Sequence, residues 1–365
     1  MKILQVGLGN NPGGVEAFVM NYYRELSGMG ISFDFICMYE KIAYEEEIKR
    51  LGGRIYYVPN VKKDYFGYVK QLRRVLEQEK YDAVHVNMLS AANIVPLRVA
   101  KEAGVRKIIA HSHNASAPGM VRKLMDRWNR PKINRYATAK LACGEAAGRW
   151  LFGDAAFENG EITLISNAID VGKYSLSPEK REKLRRELGL SGRFVIGHVG
   201  RFDLQKNHDG LIDIFDEIVK REPQAVLCLV GDGSLRPQIQ KKVREKGLGK
   251  DVVFAGVRPD VEAFLSIFDV FLFPSLFEGL PFTLLEAQAN GLPCVVSDAI
   301  TREAAVMKEK VRFLPLFAPS GKWAEAVLEE KGKERTGSDV IRKRFGDARF
   351  DIKQEAGRLK ALYEA

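Results

Sequence analysis

Two glutamates eight residues apart, Glu278 and Glu286, have the side-chain type and the surroundings that binding chemistry requires. The apolar run 270–273 before them predicts a buried strand, and Pro281 and Asn290 mark the expected start and end of the next helix. One carboxylate is therefore expected on a loop and the other on the helix that follows. Both lie at the carboxyl end of a predicted parallel strand, where open α/β sheets bind ligands.

The residues between the two glutamates suit a phosphate or a sugar. Gly279 lets a ligand approach the backbone, and the amides of Phe282 and Thr283 belong to the first helical turn. Such amides bind phosphate or sugar oxygens, and carboxylates beside them accept hydrogen bonds from sugar or ribose hydroxyls. The alternative is an ordinary helix with acidic residues near its start, which the helix dipole favours. The preceding strand and the intervening Gly-Leu-Pro favour a ligand site.

A glycine-rich loop, Gly-Leu-Gly-Asn-Asn-Pro-Gly-Gly-Val-Glu over 7–16, follows the first predicted strand. Pro12 occupies the third glycine position of a dinucleotide fingerprint, which weakens the case for a nicotinamide cofactor. Gly13 and Gly14 still offer a tight turn and free amides to a diphosphate at a helix start. A strand-to-helix turn that binds nothing is the alternative.

The second half of the chain has a matching turn, Gly-His-Val-Gly-Arg-Phe-Asp-Leu-Gln-Lys-Asn over 197–207. Arg201 and Lys206 place two fixed positive charges there, and such charges stabilise a pyrophosphate leaving group increasingly as its bond breaks. The alternative is a pair of solvated loop charges. The position after a strand and before a helix favours diphosphate binding.

Two histidines, His111 and His113, end another predicted strand. Side chains two residues apart on a strand share a face and would suit a metal ion, but no third ligand is evident. No metal site is therefore predicted. A structural histidine whose ring nitrogens are satisfied within the fold is the alternative, and it suits His111 better than His113, the last residue before the loop.

Length and composition indicate a folded protein of two domains. The chain has 365 residues, of which 46% are hydrophobic, and no stretch reaches the roughly 18 apolar residues of a membrane span. No signal peptide is predicted. The four cysteines are far apart in apolar segments, which predicts buried, reduced thiols and a cytoplasmic location.

Most of the net charge of +10 lies in 98–149, which holds twelve Lys or Arg residues against three acids. Within it, 119–130 spaces apolar residues at i, i+3, i+4 and i+7 among basic ones, a pattern typical of a helix on an anionic membrane. A surface helix that packs on its own domain has the same periodicity. The apolar positions are Val121, Leu124, Met125 and Trp128, and the basic ones are Arg122, Lys123, Arg127 and Arg130.

Predicted strands alternate with helical segments along the chain, which indicates α/β domains with doubly wound parallel sheets. The first domain is expected at 1–170, a linker at 171–192 and the second domain at 193–349. A terminal helix at 350–365 could cross back to the N-terminal domain.

Several strings resemble glycosyltransferase family 4, the large group of retaining nucleotide-sugar glycosyltransferases. They include the Glu-x7-Glu pair, Gly-Gly-Val-Glu-Ala-Phe-Val-Met, Ile-Ala-His-Ser-His-Asn and Tyr-Ala-Thr-Ala-Lys-Leu-Ala-Cys-Gly. Bacterial capsular and exopolysaccharide enzymes are most similar, and the likeness covers nearly the whole chain. Asn11, Ser166 and Ala168 depart from the family's pattern in a loop and a linker.

The resemblance implies a GT-B fold, in which two Rossmann-like domains face a central cleft. It also implies transfer of a sugar from a nucleoside diphosphate sugar, UDP more than GDP, with retained anomeric configuration and without metal or cofactor. The implied acceptor is a glycan, expected to be lipid-linked on the inner face of the cytoplasmic membrane. The leaving phosphate would take the acceptor's proton in a front-face displacement, in preference to a covalent glutamate intermediate.

The resemblance also implies a role for each site residue. Glu286 would hold the ribose and Glu278 the sugar hydroxyls. Arg201, Lys206 and the amides of Phe282 and Thr283 would hold the diphosphate. His113 would touch the donor sugar, and the backbone at Val257 would meet the nucleobase.

Two other classes of function stay open on the sequence. A nucleotide-sugar epimerase with the same fold would need no acceptor. A nucleic-acid-binding module would explain the basic segment, but beyond Trp128 and Tyr136 that segment lacks the aromatic residues that such modules interleave with basic ones. No nucleic-acid partner is therefore predicted.

Overall fold

The computed structural model describes residues 1–114 and 120–365, and at 120–123 it describes the backbone alone. The chain forms two compact units. Met1–Ala168 with Ile352–Ala365 make unit 1, and Ile169–Asp351 make unit 2. Each unit is built on one parallel sheet, so the prediction of an α/β fold with two Rossmann-like parallel-sheet domains is confirmed.

Unit 1 contains a seven-stranded sheet. Its strands are β1 Lys2–Val6, β2 Ser32–Cys37, β3 Ile55–Tyr57, β4 Ala83–Met88, β5 Lys107–Ser112, β6 Ala139–Ala142 and β7 Ile162–Leu164. Its helices before unit 2 are α1 Gly14–Ser27, α2 Glu45–Arg50, α3 Tyr65–Gln78, α4 Val95–Glu102, α5 Met120–Tyr136, α6 Glu145–Phe152 and α7 Asp154–Glu158. The strands lie in the order β3-β2-β1-β4-β5-β6-β7, so the winding changes direction between β1 and β4.

Unit 2 contains a six-stranded parallel sheet in the order β10-β9-β8-β11-β12-β13. Its strands are β8 Phe194–Val199, β9 Ala225–Val230, β10 Val252–Gly256, β11 Val270–Phe273, β12 Cys294–Ser297 and β13 Val311–Leu314. Its α-helices are α8 Pro178–Glu187, α9 His208–Arg221, α10 Arg236–Glu245, α11 Val261–Ile267, α12 Phe282–Ala289, α13 Ser320–Leu328 and α14 Ser338–Asp347, with short 3-10 turns at Leu204–Lys206, Arg302–Ala304 and Lys308–Lys310. The winding changes direction between β8 and β11.

The central strands are buried along their whole length because helices cover both faces of a doubly wound sheet. All six residues of β4 and all six of β8 are buried. In unit 2 these positions are mainly apolar, whereas in unit 1 the buried residues of β1, β4 and β5 include Gln5, His85, Asn87 and His111. Polar side chains at the centre of a sheet need partners, which these residues find in one another.

Residues 171–192, which we expected to link the domains, pack onto unit 2 instead. The segment contains α8, and Tyr174 packs against the apolar cluster on one side of the unit 2 sheet. Arg181 donates to the Ser266 carbonyl at 2.7 Å, and Arg185 donates to the Ile267 carbonyl at 2.9 Å. These side chains satisfy carbonyls at the end of α11, and they attach this charged stretch to unit 2.

The last helix of the chain, α15 Ile352–Glu364, belongs to unit 1. Its Tyr363 is 2% exposed, and the Lys107 ammonium donates to the carbonyls of Leu362 and Tyr363, both at 2.9 Å. The positive charge therefore lies at the negative end of the helix dipole. In the described part of the chain, no helix combines the length and apolar character that crossing a membrane demands.

Candidate functional site

A short and mostly buried ion pair at the carboxyl edge of the unit 2 sheet joins Lys206 and Glu278. The Lys206 Nζ lies 2.6 Å from Glu278 Oε1, and the two side chains are only 15% and 8% exposed. Gln205 Nε2 donates to the other oxygen, Glu278 Oε2, at 3.1 Å. Lys206 Nζ also lies 4.7 Å from the centre of the Phe273 ring. The carboxylate is thus held by two donors from a loop 72 residues earlier in the chain.

The order of the strands explains why these two loops meet. β8 and β11 are paired neighbours, with Val270 opposite Ile196, so the loops that follow them leave the same edge side by side. Asn207 has a left-handed backbone, with φ of 53°, and its side chain donates to the Pro274 carbonyl at 3.0 Å. The backbone of Glu278 forms a parallel bridge with Ile300. The site therefore lies at the switch point of the sheet, where α/β proteins bind ligands.

The start of α12 presents free amides beside this pair. Pro281 caps the helix, and the amide of Leu284 is the first to bond back, to the Pro281 carbonyl at 3.2 Å. The Phe282 and Thr283 amides make no hydrogen bond to any described residue. The Thr283 hydroxyl is also buried without a partner in the described part of the chain. These donors can bind an oxyanion.

Gly279 is exposed, and an added Cβ there would meet nothing within 4 Å. Neither its backbone angles nor its packing against the rest of the chain therefore requires glycine. The predicted role, close approach of a ligand to the backbone, stays a prediction that this open space allows.

Glu286 lies one turn further along α12. Burial raises the pKa of its carboxyl, while a hydrogen bond from the Tyr174 hydroxyl and the charge of Lys173 act in the opposite direction. The nearby carboxylate of Glu262 raises this pKa further. The Glu286 carboxylate is therefore shielded from water and accepts a hydrogen bond from the Tyr174 hydroxyl. A second hydrogen bond, from a ligand hydroxyl, would offset part of the cost of removing it from water.

The other predicted donor-binding residues of unit 2 lie on the loops of the same sheet edge. Arg201 is exposed in the loop after β8. Val257 is 77% exposed directly after Gly256, the last residue of β10. Their roles toward diphosphate and nucleobase stay predictions.

The glycine-rich loop of unit 1 is organised by Glu16 in the first turn of α1. Its Oε1 accepts a hydrogen bond from the Gly9 amide at 2.7 Å. An added Cβ at Gly13 would lie 2.8 Å from Glu16 Oε2, whereas one at Gly14 would meet nothing within 4 Å. Gly13 therefore lies against the Glu16 carboxylate, whereas the space beside Gly14 is open.

His113 is half-buried at the end of the β5 strand, and its Nε2 lies 3.0 Å from Asn87 Oδ1. Its ring lies 4.1 Å from that of His111 and 4.9 Å from that of Phe18. Burial lowers the pKa of His113 to about 3. The imidazole is therefore neutral near pH 7, and it can act on a ligand through hydrogen bonds but not as a cation.

The sequence-based predictions missed the residues that surround His113 and Glu278. Gln5, His85, Asn87 and Tyr363 form hydrogen bonds behind His113, and Gln205 supports Glu278. A signal was present in unit 1, because polar residues within otherwise apolar strands are unusual. Gln205 gave no such signal, since a polar loop residue is ordinary.

The predicted interfacial helix corresponds to part of α5. Leu124, Met125 and Trp128 are 64%, 45% and 74% exposed, and Arg127 is exposed as well. Arg130 differs from the expectation of a solvent-facing charge, because its guanidinium lies 4.5 Å from the centre of the Trp150 ring on α6. The side chains of Arg122 and Lys123 lie outside the described residues.

No group of three or more His, Cys, Asp or Glu side chains is placed to hold a metal ion within the described residues. All four cysteines are buried and free.

Comparison with known proteins identifies the family. Residues 12–173 match the family model described as Glycosyltransferase Family 4, and residues 180–327 match Glycosyl transferases group 1. A putative glycosyltransferase of Bacillus subtilis, EpsF, is 35% identical over 99% of this chain and 96% of its own length. A UDP-Gal:alpha-D-GlcNAc-diphosphoundecaprenol alpha-1,3-galactosyltransferase of Escherichia coli is 30% identical over 67% of this chain and 64% of its own length.

Among solved structures, that of HepE from Anabaena in complex with UDP and glucose has a TM-score of 0.79 at 21% identity, and the match covers 100% of both chains. This likeness supports the GT-B fold that we predicted. The family predicted from the motifs is also confirmed, and the chain belongs to glycosyltransferase family 4.

Proposed function

We propose that this glycosyltransferase moves a sugar from a nucleoside diphosphate sugar, with UDP as the favoured nucleotide, to a glycan acceptor on a lipid carrier. We further propose that it retains the anomeric configuration, needs no metal ion or cofactor, and acts in bacterial exopolysaccharide or capsule synthesis. The observation that carries the proposal is the Lys206–Glu278 pair beside the free amides of α12. It offers anion donors and a hydroxyl acceptor within one short stretch of the sheet edge.

Each group then has a distinct task. Lys206, Arg201 and the amides of Phe282 and Thr283 would bind the diphosphate, whose negative charge grows as its bond to the anomeric carbon breaks. Glu278 would accept hydrogen bonds from the sugar hydroxyls, and Glu286 from the ribose. Because Lys206 already contacts Glu278, the phosphate and the sugar would lie next to each other, as a diphosphate sugar requires.

The proposed reaction needs no general base from the protein. The bond between the anomeric carbon and the diphosphate oxygen breaks, and the acceptor oxygen bonds to the same face of that carbon. The acceptor's proton passes to the departing phosphate oxygen. A neutral His113 would contact the donor sugar by hydrogen bonding.

Two comparisons support the choice of substrates. The printed name of the Escherichia coli relative specifies UDP-Gal as donor and a diphosphoundecaprenol-linked sugar as acceptor. The structure of HepE contains UDP and glucose. A basic chain with an exposed apolar patch on α5 would suit an acceptor carried by an anionic membrane, and this supports the proposed site of action at the cytoplasmic face.

The donor assignment predicts a specific stabilisation by UDP-sugars. A ligand at one hundred times its Kd should raise the free energy of unfolding by about 2.7 kcal/mol. Replacing Glu286 with Gln should weaken UDP binding by about 1.5 to 3 kcal/mol, since a charged acceptor for the ribose is lost. Thermal-shift and calorimetric titrations with UDP, UDP-glucose, UDP-galactose and GDP-mannose measure both effects.

The matched control is Glu325→Gln, which changes a half-exposed glutamate on α13 whose contact is with Lys322. This variant should bind UDP as the wild type does. Equal affinity of Glu286→Gln and wild type would refute the ribose assignment, and no stabilisation by any of the four nucleotides would refute the donor class.

The proposed membrane contact predicts that the exposed face of α5 binds anionic lipid. Replacing Leu124 and Trp128 with Ser should lower binding to phosphatidylglycerol liposomes at least tenfold, because each large apolar side chain contributes about 1.5 to 3 kcal/mol when buried. Sedimentation with anionic and with phosphatidylcholine liposomes measures it. Phe317→Ser is the control, since Phe317 is 93% exposed in unit 2. Unchanged sedimentation of the double variant would exclude this face.

A further inference from the structure

His113 is one end of a buried hydrogen-bond network in unit 1. Its Nε2 contacts Asn87 Oδ1 at 3.0 Å, and Asn87 Nδ2 contacts Gln5 Oε1 at 2.9 Å and the Val6 carbonyl at 3.3 Å. Asn87 is 5% exposed and Gln5 is 1% exposed. Each hydrogen bond in such surroundings pairs one donor with one acceptor, so the direction of every bond can be worked out.

The Val6 carbonyl fixes the orientation of the Asn87 amide. A backbone carbonyl only accepts hydrogen bonds, so Asn87 must turn its Nδ2 toward Val6 and its Oδ1 toward His113. The amide oxygen also only accepts, and His113 Nε2 must therefore donate. In the neutral imidazole the proton is on Nε2, and Nδ1 has the lone pair.

The other hydrogen bonds of the network can each be given a donor and an acceptor that agree with this assignment. Gln5 uses its Oε1 for Asn87, so its Nε2 donates to the Tyr363 hydroxyl at 3.3 Å. That hydroxyl donates in turn to His85 Nδ1 at 2.6 Å. His85 Nε2 then donates to His111 Nδ1 at 3.0 Å. His111 Nε2, left as a donor, is buried without a partner among the described residues.

We propose that Asn87 is a positioning residue for the sugar-transfer reaction, because it holds His113 as the Nε2–H tautomer and leaves Nδ1 to accept a hydrogen bond from a donor-sugar hydroxyl. The catalytic part of this inference rests on the proposed function of His113. The tautomer itself follows from the Val6 carbonyl and the Asn87 amide alone. Tyr363, by contrast, stabilises the packing of α15 and does not set the His113 proton.

The tautomer can be observed directly in the intact protein. In protein labelled with ¹⁵N-histidine, long-range ¹H–¹⁵N spectra separate protonated from unprotonated ring nitrogens. His113, assigned from His113→Ala, should show a protonated Nε2. His198 is an internal reference of the opposite type, because its Nδ1 donates to the Leu272 carbonyl at 2.9 Å. A protonated Nδ1 on neutral His113 would overturn the proposal.

Kinetics of matched variants test the positioning role. Asn87→Leu should lower kcat about tenfold or more with little change in donor KM, and should disturb the His113 signals. Asn87→Gln keeps both an amide oxygen for Nε2–H and an amide donor for the Val6 carbonyl, so it should retain more of kcat than Asn87→Leu. Tyr363→Phe removes one hydroxyl from the same network, so it should lower thermal stability but leave the His113 tautomer and kcat within about twofold.

The outcomes separate this inference from the proposed function. Wild-type kcat and unchanged His113 signals in Asn87→Leu would overturn the positioning role. If His113→Ala transfers sugar as fast as the wild type, the proposed role of His113 is wrong. The spectra still test, independently of activity, whether Asn87 holds His113 as the Nε2–H tautomer.

Discussion

Replacing Lys206 with Met should lower sugar transfer about 100- to 1,000-fold, the range found when a donor to a developing oxyanion is removed. The variant keeps the length and apolar part of the side chain, so its packing over the Phe273 ring at 4.7 Å is largely preserved. What it loses is the charge that lies 2.6 Å from Glu278. Transfer of labelled sugar under saturating donor measures the effect on kcat.

The same substitution leaves a buried carboxylate without its cation, which should also cost about 1 to 3 kcal/mol of stability. The double variant Lys206→Met with Glu278→Gln removes that charge and should recover most of the stability but none of the activity. Lys242→Met is the matched control, because Lys242 is 20% exposed and forms its ion pairs with Asp209 and Asp213, neither of which is a predicted site residue. If Lys206→Met and Lys242→Met are equally active, Lys206 has no part in the reaction.

The strands were predictable because each is an apolar run bounded by glycine or polar residues. Val270–Phe273 was predicted to the residue. The ends of strands are harder to predict, because the last hydrogen bonds of a strand depend on its neighbour. Burial on both faces, which the doubly wound sheet imposes, makes these runs visible without any knowledge of the partner strands.

Contacts between loops were not predictable in the same way. Glu278 and Lys206 were each assigned to the donor, yet their ion pair depends on β11 lying next to β8, which strand order in the sequence does not reveal. The contact between Tyr363 and His85 similarly requires α15 to join unit 1 after the whole of unit 2. Spacing therefore indicated which residues could bind a ligand, and topology determined which of them meet.

Topology also gives the chain an acid sensitivity that its composition does not indicate. All five histidines have a lowered pKa, mainly through burial. It is about 3 for His85 and His113, about 4 for His208, and well below the usual range for His111 and His198. In the unfolded chain each histidine regains a pKa near 6.5. Between pH 6.5 and about 4 the unfolded chain therefore binds protons that the native protein does not.

The free energy of unfolding should consequently be highest above pH 6.5 and should fall as the pH drops below that value. Below pH 6.5 each histidine lowers the free energy of unfolding by about 1.4 kcal/mol per pH unit. The combined loss from three histidines in unit 1 and two in unit 2 soon becomes comparable to the 5 to 15 kcal/mol by which a domain is typically stable. Glu286, whose pKa is raised, acts in the opposite direction but is a single group. We expect acid unfolding near pH 5, above the range in which ordinary carboxylates protonate.

Denaturant titrations between pH 8 and pH 5 measure this slope. In unit 2, His208→Met should reduce the slope of the free energy of unfolding against pH by about 1.4 kcal/mol per pH unit, since the variant binds one proton fewer on unfolding. His208 is suited to this test because neither of its ring nitrogens has a partner among the described residues and its ring stacks on Phe202 at 4.0 Å. The substitution thus changes the proton balance while keeping an apolar contact. A free energy of unfolding that stays constant from pH 7.5 to pH 5.5 would show that these histidines are not buried in their neutral form.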